Sequence, residues 1–183
     1  VTLALDEILL VLLSREPASA YDLQRRHTQI FDSHRPVELG RVQAAVNRLE
    51  RSGYLYVDTV TPLAKGYQNR PACALTVSGR RRQRSWLADV PEGASIEEFY
   101  VRGVLAVASA DRETFDAFLR SSLTVIRQRQ QGLADPAPDS PPALHAKVAF
   151  EQQMTGALLA WLQLLPGQRG HRADILPAPT TYP

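Results

Sequence analysis

One change of period constrains this chain more than any other feature. Up to Ser52 the apolar positions recur every three or four residues; residues 54–61 then turn rich in β-branched and aromatic side chains, and helical spacing returns from residue 76 onward. A single hairpin set among helices follows from that pattern. Leu3, Leu5, Ile8, Leu9, Leu12 and Leu13 predict a first helix ending near residue 15, closed by Pro17. Ser19 with Asp22 three positions on predicts the start of a second helix, which runs to about residue 31 with Tyr21, Leu23 and Ile30 pointing inward. A polar turn over 32–36 leads into a third helix over 38–52, stopped by Gly53.

The hairpin is expected as strands over 54–61 and 72–76 joined by a long basic tip carrying Lys65 and Arg70. Thr76 or Ser78 caps a fourth helix that reaches residue 90, and Pro91-Glu92-Gly93 marks a boundary. Ser95 and Glu98 form a capping box for a fifth helix, Asp111 caps a sixth, and a Pro-rich connector over 134–142 precedes a seventh over 143–165. The remaining residues, 166–183, hold several prolines and no periodicity, which predicts an extended or disordered tail. The expected fold is mostly α with a small β-hairpin wing. Three helices followed by a hairpin give an N-terminal winged helix-turn-helix over 1–91, followed by a helical region over 92–165.

Composition narrows the function. Of 183 residues 44% are hydrophobic and 22% charged, ordinary values for a folded globular chain. The longest apolar run, residues 8–13, is too short to span a membrane, and Asp6 and Glu7 stand where a secretory signal would be positive. With one cysteine and four scattered histidines there is no disulfide and no zinc-ligand spacing, so the expectation is a cytoplasmic protein without metal or cofactor. Net charge is only +2, yet residues 1–90 carry 13 basic and 9 acidic side chains against 8 and 10 in residues 91–183. The first half is the expected polyanion binder. Nineteen of the 21 basic residues are arginine, which suits phosphate and guanine recognition, although a GC-rich genome produces the same bias.

On the third helix Val42, Ala45, Val46 and Leu49 make one apolar stripe, and Gly40, Gln43, Ala44, Asn47 and Arg51 face away from it. Gln43 and Asn47 are candidates for bidentate contacts to adenine, Arg41 and Arg48 for guanine or phosphate, and Ala44 leaves room for a thymine methyl. Arg25, Arg26, Arg35, Lys65 and Arg70 are candidate phosphate clamps. The run from Arg80 to Arg84 winds around a helix at about 100° per residue, so at most two of its members can face one groove. Trp86, Tyr100 and Trp161 are candidates for an effector pocket or a dimer interface, with core packing as the simpler role. Cys73 has no local activator, Glu97 and Glu98 are explained by capping, and no catalytic constellation is visible, which argues against an enzyme.

Four stretches, Ile8-Leu9-Leu10-Val11-Leu12-Leu13, Pro17-Ala18-Ser19-Ala20-Tyr21-Asp22-Leu23, Val46-Asn47-Arg48-Leu49-Glu50-Arg51-Ser52-Gly53-Tyr54-Leu55 and Leu75-Thr76-Val77-Ser78-Gly79-Arg80, occur in an order and spacing that resembles the PadR family of bacterial transcription regulators. That family usually has Gly where Ala20 stands and Tyr where Gln43 stands. The resemblance implies a homodimeric repressor on a near-palindromic double-stranded operator, with residues 92–165 as a C-terminal dimerisation domain and a small effector, aromatic compounds being among the candidates. The alternative reading is a winged-helix module that binds a protein partner and has no DNA target of its own.

Overall fold

Burial of residues 8–13 on every side makes the first helix an axle between the two halves of the chain, and the rest of the fold is arranged around it. The computed structural model describes residues 5–31, 37–58 and 71–169. Helix α1 (Leu5–Leu12) packs against α2 (Ala20–Phe31), α3 (Leu39–Arg51), α4 (Val77–Ala88) and α5 (Ile96–Ser109). It is shorter than its leucine pattern predicts because Pro17 disfavours helical backbone before it, and the chain leaves α1 through a turn closed by the Ser14 amide on Val11.

The predicted second-helix start is reciprocal in the structure. The Asp22 amide donates to Ser19 Oγ at 3.2 Å, and the Ser19 amide donates to Asp22 Oδ2 at 3.2 Å. Leu23 is fully buried and Ile30 packs against the core, but Tyr21 is 45% exposed. Two residues before Leu23 on a helix lies the opposite side, so the inward expectation for Tyr21 fails on geometry. Helix α3 ends at Ser52, and Gly53 takes φ +72, the left-handed turn that a glycine after a helix supplies.

Strands β1 (Leu55–Asp58) and β2 (Ala72–Leu75) pair antiparallel with Leu55 opposite Leu75 and Asp58 opposite Ala72. A feature with no sequence signal ties this hairpin down: Ala18 and Cys73 exchange backbone hydrogen bonds of 3.1 and 2.9 Å, so the turn before α2 adds one residue of sheet to β2. Thr76 caps α4 by accepting from the Gly79 amide, and it also donates to the Gly53 carbonyl at 2.7 Å.

Both downstream caps form as the sequence predicts. Ser95 and Glu98 make the full capping box on α5, and Asp111 accepts from the Thr114 amide at the start of α6 (Arg112–Gln131). The Thr114 amide holds the Asp111 carboxyl below the usual carboxylate range. Helix α7 (Pro142–Gln168) outruns its predicted end at residue 165, because Pro166 falls in the last turn and deletes only one backbone bond there. Among the described residues of the expected tail, 166–168 are therefore helical and Arg169 caps the helix; the rest of it, 170–183, lies outside the described residues. Across the expected boundary at residue 91 the buried side chains form one continuous cluster, from Leu9 and Leu10 through Leu87 and Phe99 to Phe118 and Leu162.

Candidate nucleic-acid interface

The third-helix stripe divides as its spacing predicts. Val42, Ala45, Val46 and Leu49 are buried, while Arg41, Gln43, Ala44, Asn47, Arg48 and Arg51 are exposed. Helix α3 is held in place by its neighbours: the Gln24 side chain of α2 donates to the Val37 carbonyl at 2.9 Å, fixing the entry to α3. Gln43 and Asn47 face a groove of about 590 Å³ whose other walls are Ser19, Ala20 and Tyr21 at the start of α2 and Val57, Pro71 and Cys73 of the hairpin. An exposed polar helix face, flanked by a helix N-terminus on one side and a hairpin on the other, is the arrangement a duplex groove can receive.

The predicted clamps divide three ways. Arg25 is exposed on α2. Arg26 turns back into the protein, donating to the Leu12 carbonyl at 3.2 Å and pairing with Glu16, so its reach is spent on the turn between α1 and α2. Arg35, Lys65 and Arg70 lie outside the described residues. Arg48 is bound by Asp6 of α1, whose carboxylate raises its pKa through a charge-assisted hydrogen bond. On α4, Arg80 donates to the Leu75 carbonyl, Arg82 pairs with Glu7 while stacking on Tyr54 at 4.4 Å, and Arg84 pairs with Asp111, leaving Arg81 exposed.

The aromatic trio does not converge. Tyr100 and Trp161 are neighbours with ring centroids 6.4 Å apart, whereas Trp86 lies beneath the Arg102 guanidinium at 4.4 Å. Only Trp161 of the three lines a cleft of about 430 Å³ between the turn after α1, the end of α2, α5 and α7. Leu12, Ile30, Val104 and Leu165 give it an apolar lining, and Arg15, Arg26 and Arg169 stand around it with Glu16. The sequence contains no local signal for this cleft, because its walls come from four separate elements.

Burial pushes the Cys73 thiol up to about 11, with Glu50 adding to the shift, so the thiolate that nucleophilic chemistry needs is suppressed at neutral pH. Among the described residues no group of three or more His, Cys, Asp or Glu side chains could hold a metal ion. No described helix is long and apolar enough to cross a membrane.

No family model matches the sequence, and no curated protein matches it. Solved structures align with it over most of its length. They include PadR of Bacillus subtilis in complex with operator DNA, at 17% identity and TM-score 0.40 over 87% of this chain and 96% of that one. The same PadR in complex with p-coumaric acid aligns at 16% identity and TM-score 0.36, over 90% of this chain and 98% of that one. A PadR-like transcriptional regulator from Bacillus cereus aligns at 16% identity and TM-score 0.37, over 89% and 94%. These structures are PadR and PadR-like transcriptional regulators.

Proposed function

We propose that this chain is a sequence-specific transcriptional regulator that binds double-stranded DNA as a homodimer and acts as a cytoplasmic repressor. The observation that carries the reading is the α3 face: Arg41, Gln43, Ala44 and Asn47 stand exposed on one side of the helix while the opposite stripe is buried, and Gln43 and Asn47 line the groove. Gln43 and Asn47 read adenine edges, Ala44 accommodates a thymine methyl, and Arg41 reaches guanine or phosphate. Arg25 contributes a backbone contact that is blind to sequence.

A mobility-shift titration against the DNA upstream of the protein's own gene tests this. Asn47→Ala and Arg41→Ala are each expected to weaken specific binding by about 1–3 kcal/mol per half-site at unchanged melting temperature. Wild-type affinity is expected to fall by orders of magnitude between about 50 and 200 mM salt, whereas a winged helix that serves only a protein partner responds far less. Weak salt dependence combined with an inert Asn47→Ala variant rejects the DNA reading.

Helix α7 supports the dimer. Leu144, Phe150 and Leu164 are exposed on it, Phe150 and Leu164 at 64% each, and a second copy would cover such side chains. Two heads joined this way meet half-sites about 34–36 Å apart, one turn of duplex. The cleft beside Trp161 is where an effector acts, because it lies between the DNA-binding head and α5 and α7. An apolar lining with Trp161 in its wall suits a flat aromatic molecule. With p-coumaric acid as the probe, tryptophan fluorescence is expected to quench saturably and Trp161→Leu to abolish that response. A wild-type spectrum that stays constant at millimolar probe removes the cleft from the mechanism.

A further inference from the structure

The first turn of α1 carries two adjacent carboxylates, and each holds an arginine from a different helix. They do so in unlike surroundings. Glu7, with only 13% of its side chain exposed, takes both Nε and Nη2 of Arg82 on Oε1, and Arg82 is braced a second time by the Tyr54 ring. Asp6 takes Arg48 in a two-point fork, Oδ1 to Nη2 at 2.6 Å and Oδ2 to Nε at 3.3 Å. Half of the Arg48 side chain is exposed, and among the described residues Asp6 is its only hydrogen-bond partner. The Glu7 pair is architecture; the Asp6 pair sits at the surface where a competitor can reach it.

The position of Arg48 makes a duplex phosphate that competitor. Seven residues separate it from Arg41, two helical turns, so the two lie on one flank of α3 beside the Gln43 and Asn47 face. A guanidinium fork fits a carboxylate and a phosphate equally well, since both present two oxygens at matching spacing. Exposed ion pairs add little to folding stability, so the Asp6 fork is poorly explained as a structural brace.

We infer that Asp6 is a positioning residue that occupies the Arg48 fork in place of a DNA phosphate, keeping this arginine neutralised and so holding down the protein's affinity for duplexes of any sequence. The inference rests on the DNA-binding reading above. It makes Arg48 a latent phosphate clamp, distinct from the base readers Gln43 and Asn47. Specificity gains from the arrangement, because sequence-blind attraction is lowered while the base-reading face is untouched.

Asp6→Asn keeps the size of the side chain and removes the charge that holds the fork. It is expected to tighten binding several-fold at low salt, equally on the operator and on a scrambled duplex. The slope of log K against log salt is expected to steepen by about 1.8 for the dimer, one further phosphate neutralised by each subunit at about 0.9 apiece. Asp6→Glu retains a carboxylate and is expected to keep the wild-type slope, and Asp6→Asn combined with Arg48→Met is expected to return to it. Asp6→Ser supplies the same readout if the amide unsettles the end of α1, and thermal melts confirm folding throughout. An Asp6→Asn slope equal to wild type overturns the inference. So does a steeper slope that persists without Arg48, since the effect would then be long-range repulsion rather than an occupied fork. Wild-type protein that binds neither duplex overturns the DNA reading together with this one, whereas wild-type binding with an inert Asp6→Asn overturns this one alone.

Discussion

Arg102→Ala is expected to lower the free energy of unfolding by about 3–5 kcal/mol, the cost of removing one partner from a buried charged network. Arg102 is only 4% exposed. Its guanidinium donates to the carbonyls of Trp86 and of Asp89 at the end of α4, and to Glu98 Oε1 at 3.1 Å, while stacking on the Trp86 ring. Burial lowers its pKa and the Glu98 hydrogen bond partly restores it, so the charge persists at a desolvation cost that those acceptors offset. Alanine strands two carbonyls of the last α4 turn, leaves Glu98 facing a void and removes the ring contact. Arg102→Lys is expected to recover little, since an ammonium cannot serve acceptors on several sides from one plane. Chemical denaturation measures both variants. A loss below about 1 kcal/mol for the alanine variant shows that water replaces the guanidinium and that the joint between α4 and α5 is looser than its geometry.

The same residue marks the limit of what the sequence discloses. Helix starts were legible because their chemistry is local: Ser95 meets Glu98 and Ser19 meets Asp22 within three positions, and Gly53 stops α3 where the left-handed turn is needed. The buried and exposed faces of α3 were legible for the same reason. Arginines whose partners lie far along the chain were not. Arg48 finds Asp6 at a separation of 42 residues, Arg82 finds Glu7 at 75, and Arg15 reaches the Ala108 carbonyl at 93. Several serve as caps for distant backbone: Arg129 donates to the Glu92 and Ala94 carbonyls, and Arg169 to that of Ala110 just after α5. An arginine-rich composition therefore overstates the positive surface offered to a polyanion, and Arg26, expected as a clamp, is engaged within the protein instead. Which of the three aromatic candidates share a site was not legible either, because whether Trp86 and Trp161 meet depends on how α4, α5 and α7 pack and not on spacing within any one of them.

Two glycines of the N-terminal half are expected to respond very differently to the same substitution. A Cβ on Gly79 would lie 1.9 Å from the Tyr54 carbonyl oxygen and 2.9 Å from its carbon. That peptide cannot retreat freely, since its oxygen also accepts the Thr76 amide at 3.1 Å, and Gly53 just before it is already in the left-handed region. Gly79→Ala therefore forces the first turn of α4 off the base of the hairpin. Overpacking of this kind costs typically about 1–3 kcal/mol, and the rigid backbone here puts the expected loss at the upper end. The helix-propensity gain of about 1 kcal/mol from Gly to Ala opposes it without cancelling it. Gly40, in the first turn of α3, has no neighbour beyond its own helix backbone within 4 Å of where a Cβ would stand, so Gly40→Ala meets no obstruction. It is expected to be neutral or to stabilise by up to about 1 kcal/mol. Denaturation of the two variants side by side checks the pair. Equal destabilisation by both substitutions would mean that α4 does not rest on the Tyr54 peptide.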